Sequence, residues 1–521
     1  MPVAPHCKAM SPGRISRVVV PAGIGAIWLL SMGWLVRYEA FPHLFTHMLP
    51  GYRLLERRNP IVGDWWMKIL LDSEQVGYSH TTLDFDETDP VRHYRIQNET
   101  VLALNVMGEQ QHIRSSARVA LDMLYQVQQF IFAYASGPYS VRILGQRVAP
   151  QRFQVGIYSP AGRYQTEVEL PEGTVIADLM PESGMLDLRP GQQIALRTFN
   201  PATLSSSIVR IRALRYEDVE MDSEEVVRAL VISIDYEGMQ TISWLCPDGR
   251  VLRQETPFGL TLVACSAEEA AAYARKPATD VLGKTAIPTE GRVKCPRTCQ
   301  SLLIRISGSS LQPEDLTTPR QQVLKAIDPN TVLLHVDAEG ELSGRRSTGT
   351  LPGTIRKYLR AGPFIQSDDP QIREVARRIT GELSSPAERA AAICDWVYTH
   401  IEKTAASGIP SAVDVLHNLK GDCNEHAVLF TALARAAGLP ARVLLGLVYS
   451  SDGFYYHAWP AVYLDGWHEL DPTFGQQSVD ATHIALTEGE GAAQLRLLGI
   501  IGRIRVRVEE ALCRGEVAGG D

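Results

Sequence analysis

The sequence predicts an α+β protein with an N-terminal transmembrane helix, a predominantly β domain and then a C-terminal α+β domain. Three observations lead there. Val18–Val36 is an uncharged apolar run, residues 60–276 read as short strands between turn residues, and helical periodicity returns only near Asp368. A chain of 521 residues is too long for one compact core. Its net charge of -8 is modest and its Lys and Arg are scattered, so no nucleic-acid partner is expected.

The apolar run reads VVVPAGIGAIWLLSMGWLV and is about as long as a bilayer crossing requires. Trp28 and Trp34 suit an interfacial half. Lys8, Arg14 and Arg17 precede the run and only Arg37 follows closely, although Arg53, Arg57 and Arg58 count the other way. The following RYEAFPHLF is bulky and offers no small-x-small cleavage site, which favours an uncleaved anchor over a signal peptide. The expectation is a cytoplasmic segment 1–17, a single-pass anchor 18–36, and everything beyond it periplasmic or extracellular.

In the β domain, RYQTEVELP and LVISIDYEG alternate or are β-branched, and Pro247–Arg250 (PDGR) supplies a turn. No cluster of reactive side chains stands out there. Ser266–Lys276 reads as a helix capped by Ser266. Residues 277–355 are mixed, with strand-like SLLIRISG and TVLLHVD, and are expected to connect the two domains. The α+β domain is assigned to 356–500 and a C-terminal tail to 501–521. Within it, DDPQIREVARRITGEL places Ile372, Val375, Ala376 and Ile379 on one face. In the next helix Ser385 caps, Pro386 takes the first position, and Cys394 is a packing residue.

Chemistry concentrates in LKGDCNEHAVLF, Leu419–Phe430. Gly421 ends a preceding helix, Asp422 caps the next, and Glu425 completes an acidic capping box. Cys423 therefore falls in the first turn of a helix that runs to about Ala437 and is stopped by Gly438-Leu439-Pro440. Unpaired N–H groups at such a helix start favour a thiolate and can hold an oxyanion. The charge on Asp422 works against the thiolate, so a base is required. Downstream, ARVLLGLVY reads as a buried strand, and YYHAWPAVYLDGWHELDPTFG offers His457 and Asp471. A cysteine, an imidazole and a carboxylate that orients it form the usual device for thiol acyl chemistry.

The block Gly421–Cys423, Pro440–Arg442 (PAR), His457–Trp459 (HAW) and Gly466–Thr473 (GWHELDPT) resembles the transglutaminase-like superfamily, papain-like folds whose Cys, His and Asp come in that chain order. The resemblance spans about 385–483. By matching position it implies Cys423 as nucleophile, His457 as acid/base and Asp471 as its orienter. No Asp/Asn/Gly run has calcium-loop spacing, so neither metal nor cofactor is expected. The implied activity is a membrane-anchored cysteine enzyme acting on amide or peptide bonds of a protein or peptide substrate at the cell envelope. The alternative is a non-catalytic scaffold of the same fold.

Other residues are weighed lower. His426 is assigned a surface or packing role, and His468 points away from Asp471 by strand alternation. Trp459 walls the cleft or packs in the core, and Asp480–Ile484 (DATHI) receives no catalytic role. Cys295 and Cys299, in CPRTC, admit a local disulfide, part of a metal site or unpaired thiols. For His457 and Asp471 to meet across one hairpin, parity requires a three-residue loop Leu464-Asp465-Gly466, with Tyr463 opposite Trp467 and Gly466 left-handed.

Overall fold

The computed structural model describes residues 46–514, together with Trp28, Ser31 and Met32, apart from internal segments of which the longest are 309–315, 343–350 and 490–503. The run 18–36, with its expected transmembrane helix, lies almost wholly outside the described residues. Among the described residues, no helix is long and apolar enough to cross a membrane.

The chain is mostly β with few helices. Between Thr46 and Asp280 the described strands belong to one 17-stranded sheet. Two antiparallel meanders, Gly63–Glu169 and Gln193–Cys265, are joined where Leu260–Cys265 pairs with Gly63–Leu71. Alternation sets the inner face. Along Ser205–Glu220, Val209, Ile211 and Ala213 are buried while Arg210 and Arg212 face out. The expected turn at Pro247–Arg250 is present, with Gly249 at φ +97° and its N–H donated to the Cys246 carbonyl. The helix after it is capped by Ser266 as expected and is described over Ala267–Ala271.

The stretch 277–355 does more than connect. Thr289–Glu290, Cys299–Ser307, Gln321–Asp328 and Thr331–Asp337 form a five-stranded sheet with Arg505–Cys513. The segment 501–521, expected as a tail, thus supplies a strand, Arg505–Cys513, to that sheet. Its inward side chains Leu302, Ile304, Leu334 and Val336 belong to one apolar cluster with Ile393, Leu429, Leu433 and Leu445. Burying each such side chain contributes about 1.5–3 kcal/mol, so this sheet and the helices stand or fall together.

The helical part comprises Pro370–Thr380, Pro386–His400, Ala412–Asn418 and Cys423–Ala436. Ser385 and Asp422 with Glu425 cap their helices as expected, and Asp369, Ser411 and Glu388 add caps that were not singled out. Behind the last helix stands a four-stranded sheet in the order Trp467–Glu469, Gly453–Tyr463, Ala441–Ser450, Ile484–Glu488.

Of the alternatives left open for the CPRTC cysteines, the local disulfide does not form. Cys295 is bonded to Cys513, 218 residues away, and Cys299 is a buried free thiol in the neighbouring strand. Local spacing could not show this partner, because the sheet that brings Cys513 near was not anticipated. In protein purified under oxidising conditions, a non-reducing peptide map should therefore join Cys295 to Cys513. Cys513→Ser should cost about 2–5 kcal/mol, read as a lower thermal midpoint. Free alkylation of Cys295 in the native protein would remove the bond.

Candidate active site

Cys423 is the first residue of the helix Cys423–Ala436, and the loop before it is tightly specified. Leu419 is left-handed at the C-cap of the preceding helix, and Gly421 follows at φ +155°. A Cβ on Gly421 would lie 2.3 Å from Glu425 Cγ, so glycine is required there. The Asp422 carboxylate accepts the Asn424 N–H at 2.9 Å and the Glu425 amide, while Glu425 Oε2 accepts the Asp422 N–H at 2.8 Å. These bonds use two first-turn donors for the cap and leave the Cys423 amide as the donor the cap does not engage. From the β domain, the Tyr139 hydroxyl donates to the Lys420 carbonyl, which ties the large sheet to this loop.

The helix packs against the strand Gly453–Tyr463, which carries His457. The half-buried Cys423 thiol lies near the Ala458 backbone N–H, one residue past His457. Even so, burial and then Asp422 push this thiol well above its usual range, with Glu425 and Asp471 adding to the effect. The helix start therefore does not by itself yield a thiolate. The structure supports the requirement for a base and reverses the expected pull of the helix terminus.

His457 and Asp471 are brought together. His457 Nε2 lies 2.8 Å from Asp471 Oδ2, and both side chains are buried. The register is as expected at its start, with Tyr463 opposite Trp467 and Ala461 opposite Glu469. Gly466, however, is not left-handed, and the Leu464 N–H donates to the Gly466 carbonyl at 2.9 Å. The ladder ends at Glu469, and a turn closes as Asp471 and Gln476 exchange backbone hydrogen bonds. Asp471 Oδ1 accepts the Thr473 N–H at 2.7 Å, which fixes the carboxylate from the other side. Parity thus placed Asp471 on the right face, and this turn, not a bulge at Gly466, holds it.

Gly446 lies opposite His457 in the ladder. A side chain there would meet the Ile484 carbonyl at 1.9 Å, so the strand that follows His483 could not approach.

That strand brings in the residue the sequence reading missed. His483 is fully buried, with Nε2 3.1 Å from Asp471 Oδ2 and Nδ1 3.4 Å from Asp480 Oδ1. Asp480 in turn meets Arg297 Nη1 at 3.1 Å and accepts from Gln476 at 3.0 Å. Burial opposes charge on His483, but Asp480 and Asp471 outweigh it and raise its pKa. Burial likewise opposes charge on Asp471, yet His457 and His483 hold its pKa well below the usual range. The DATHI motif was the available signal, because Asp480 and His483 stand three residues apart across a turn in it. The ligand atoms of His457, Asp471 and His483 lie within 4.8 Å of one another, as a metal site would require. Both imidazoles, however, aim at the one oxygen Oδ2, which makes the set a hydrogen-bonded charge cluster.

The lower-ranked residues fall as follows. Trp459 is fully buried, donates to Glu469 at 2.9 Å and packs on Leu444 and Ala485, so it is core and not a cleft wall. Glu469 is held in turn by Arg320 at 2.5 Å. His468 faces Glu339 and the Gln477 carbonyl, away from Asp471. His426 is a packing residue whose Nδ1 donates to the Asp422 carbonyl at 2.6 Å. Cys394 is buried in its helix, as expected of a packing residue.

With this geometry in view, residues 373–472 match the sequence profile of the transglutaminase-like superfamily. The chain carries a transglutaminase-like domain. Its sequence is 33% identical over 166 residues to kyphoscoliosis peptidase of Mus musculus, covering 28% of this chain and 25% of that protein. The human kyphoscoliosis peptidase is 33% identical over 127 residues, 21% of this chain and 19% of that protein. The chain thus spans a quarter or less of these curated relatives. The solved periplasmic domain of TgpA from Pseudomonas aeruginosa is similar at 20% identity, covering 37% of this chain and 73% of that one, with a TM-score of 0.26. Asp480, His483 and Arg297 all lie outside the matched residues of the transglutaminase-like domain.

The charge cluster has a defined pH signature. The lowered carboxylates Asp471 and Asp480 stabilise the fold above their unfolded pKa of about 4, and this is lost as pH falls through their folded values. The raised His483 stabilises it below its unfolded pKa of about 6.5, and this is lost as pH rises through its folded value. Asp480→Asn should destabilise by about 3 kcal/mol at neutral pH. Thermal midpoints between pH 5 and 9 should show the alkaline limb of the variant displaced to lower pH. An unmoved limb would take His483 out of the cluster.

Proposed function

We propose that the transglutaminase-like domain is a thiol acyl-transfer site in which Cys423 attacks an amide or peptide carbonyl. The observation that carries the reading is the buried His457–Asp471 bond beside a cysteine at a helix start. Asp471 is ionised and accepts the Nε2–H of His457, which leaves Nδ1 as the basic nitrogen. Because the surroundings disfavour a free thiolate, the Cys423 proton passes to Nδ1 as the sulfur–carbon bond forms. The Cys423 amide and the helix terminus then face the developing oxyanion. Collapse breaks the carbon–nitrogen bond, the departing amine takes the proton from Nδ1, and a thioester remains. Water resolves it in a hydrolase and a second amine in a crosslinking enzyme.

The same reading places the enzyme at the cell envelope, anchored by 18–36, with a protein or peptide substrate. The Cys295–Cys513 bond supports an oxidising compartment. No metal or cofactor enters this chemistry.

Cys423→Ala should abolish trapping of an acyl-enzyme from cell-envelope extract, read by mass spectrometry, while the fold persists. His457→Ala and Asp471→Asn should each lower turnover by at least about a hundredfold. Turnover on an amide substrate that survives Cys423→Ala would take Cys423 out of the mechanism, and a parent protein that traps no acyl group would favour the scaffold reading.

A finer test uses the cap. Asn caps a helix about as well as Asp, so Asp422→Asn should keep the fold while removing the largest charge that raises the thiol. Alkylation of Cys423 by iodoacetamide near pH 7.5 should accelerate several-fold in this variant. In the parent it should climb only as pH rises into the alkaline range. Equal rates would show that Asp422 does not control the thiol.

A further inference from the structure

The β domain holds a cavity of about 780 Å³, within the size range of small-molecule sites. It lies where Gly63–Leu71, Glu74–Phe85 and Tyr94–Val106 curve toward Ser205–Glu220 and Val226–Tyr236. Leu83, Ile96, Val209 and Ile234 give it apolar walls, with Trp65 and Trp66 beside them. Most polar groups of the lining are already engaged. Asp64 meets His80 at 2.7 Å, Arg250 meets Asp248 at 2.6 Å, and Asn98 donates to Ser79 at 2.8 Å.

Asp178 is the exception. It stands on the short turn Ala177–Leu179 that lines the cavity. Its carboxyl makes no hydrogen bond or ion pair among the described residues, and the surrounding protein pushes it up to about 6. Its side chain is open to the cavity, not sealed from it, so a ligand that brings a positive charge meets a carboxylate with no cation of its own among the described residues.

We propose that this cavity binds an apolar molecule bearing a single amine or ammonium group, with its chain against the apolar walls and its nitrogen paired to Asp178. The site is separate from Cys423, and its occupancy does not depend on the acyl-transfer reading. An alkyl carboxylate of the same length is disfavoured by repulsion from Asp178, and an alcohol gains the walls but no ion pair.

The test titrates the full chain with octylamine, octanol and octanoate and reads intrinsic tryptophan fluorescence and calorimetric heat. At pH 8 octylamine should bind about tenfold more tightly than octanol, the increment of a charge-assisted contact. Octanoate should bind most weakly. The advantage of the amine should vanish near pH 5, where Asp178 is protonated, and in Asp178→Asn, which should still bind octanol. Val209→Phe, which fills the cavity, should weaken all three probes, whereas Cys423→Ala should change none. Binding of amine and alcohol with equal affinity at pH 8, an amine preference that persists in Asp178→Asn, or no binding of any probe would each overturn the proposal.

Discussion

Asp471 carries a negative charge away from solvent, and two imidazoles converge on one of its oxygens. An unpaired carboxylate in that position would be protonated or would unfold its surroundings. The elements nearby are consequently arranged to keep it ionised. His457 arrives on the strand Gly453–Tyr463, and His483 arrives just ahead of Ile484–Glu488. The Asp471–Gln476 turn fixes the carboxylate between them. Close approach of the two strands that carry the histidines, one on each side of Ala441–Ser450, is possible only because Gly446 has no side chain. The order of that sheet is thus tied to one buried charge.

The same constraint explains why the thiol sits as it does. Asp471, Asp422 and Glu425 all bear on Cys423 and discourage its ionisation. A site built this way holds its negative charge on Asp471, whose carboxylate fixes the His457 ring through Nε2. The helix cap and the helix that carries Cys423 share residues, so the same carboxylate serves the order of the loop and the electrostatics of the thiol. Asp422 is at once the cap of this helix and the anion that acts most strongly on the sulfur.

Much of this was legible in the sequence wherever local rules suffice. Asp422 and Glu425, Ser385, and Gly438 mark helix ends through local geometry that spans a few residues, and these ends formed as read. Strand parity put His457, Trp459 and Asp471 on one face, and the bond from Trp459 to Glu469, two residues before Asp471, lies on that face. What was not legible depends on distant partners. The Cys295–Cys513 bond needs the strand Arg505–Cys513, whose sequence carries no signal of where it pairs. The conformation of Gly466 failed because the hairpin leaves its ladder after three pairs, so the turn does not have to satisfy a long register.

The residues around the charge cluster also redraw the functional unit. Arg297 reaches Asp480 from beside the Cys295–Cys513 bond, and Arg320 reaches Glu469, which accepts from the Trp459 indole. Both arginines come from 277–355, a stretch whose composition resembles a connector. Each is bound to a buried carboxylate, so removing either leaves an anion inside the protein without its cation. The guanidinium of Arg297 also lies 4.3 Å from the Phe474 ring centre, and that ring stacks on His457 at 5.1 Å. Arg297 therefore bears on His457 by two routes, through Asp480 and His483 and through Phe474. The stretch with recognisable motifs is smaller than the stretch that must fold for the histidine to be held, because motifs record the reacting groups and the supporting charges are drawn from wherever the sheet brings them.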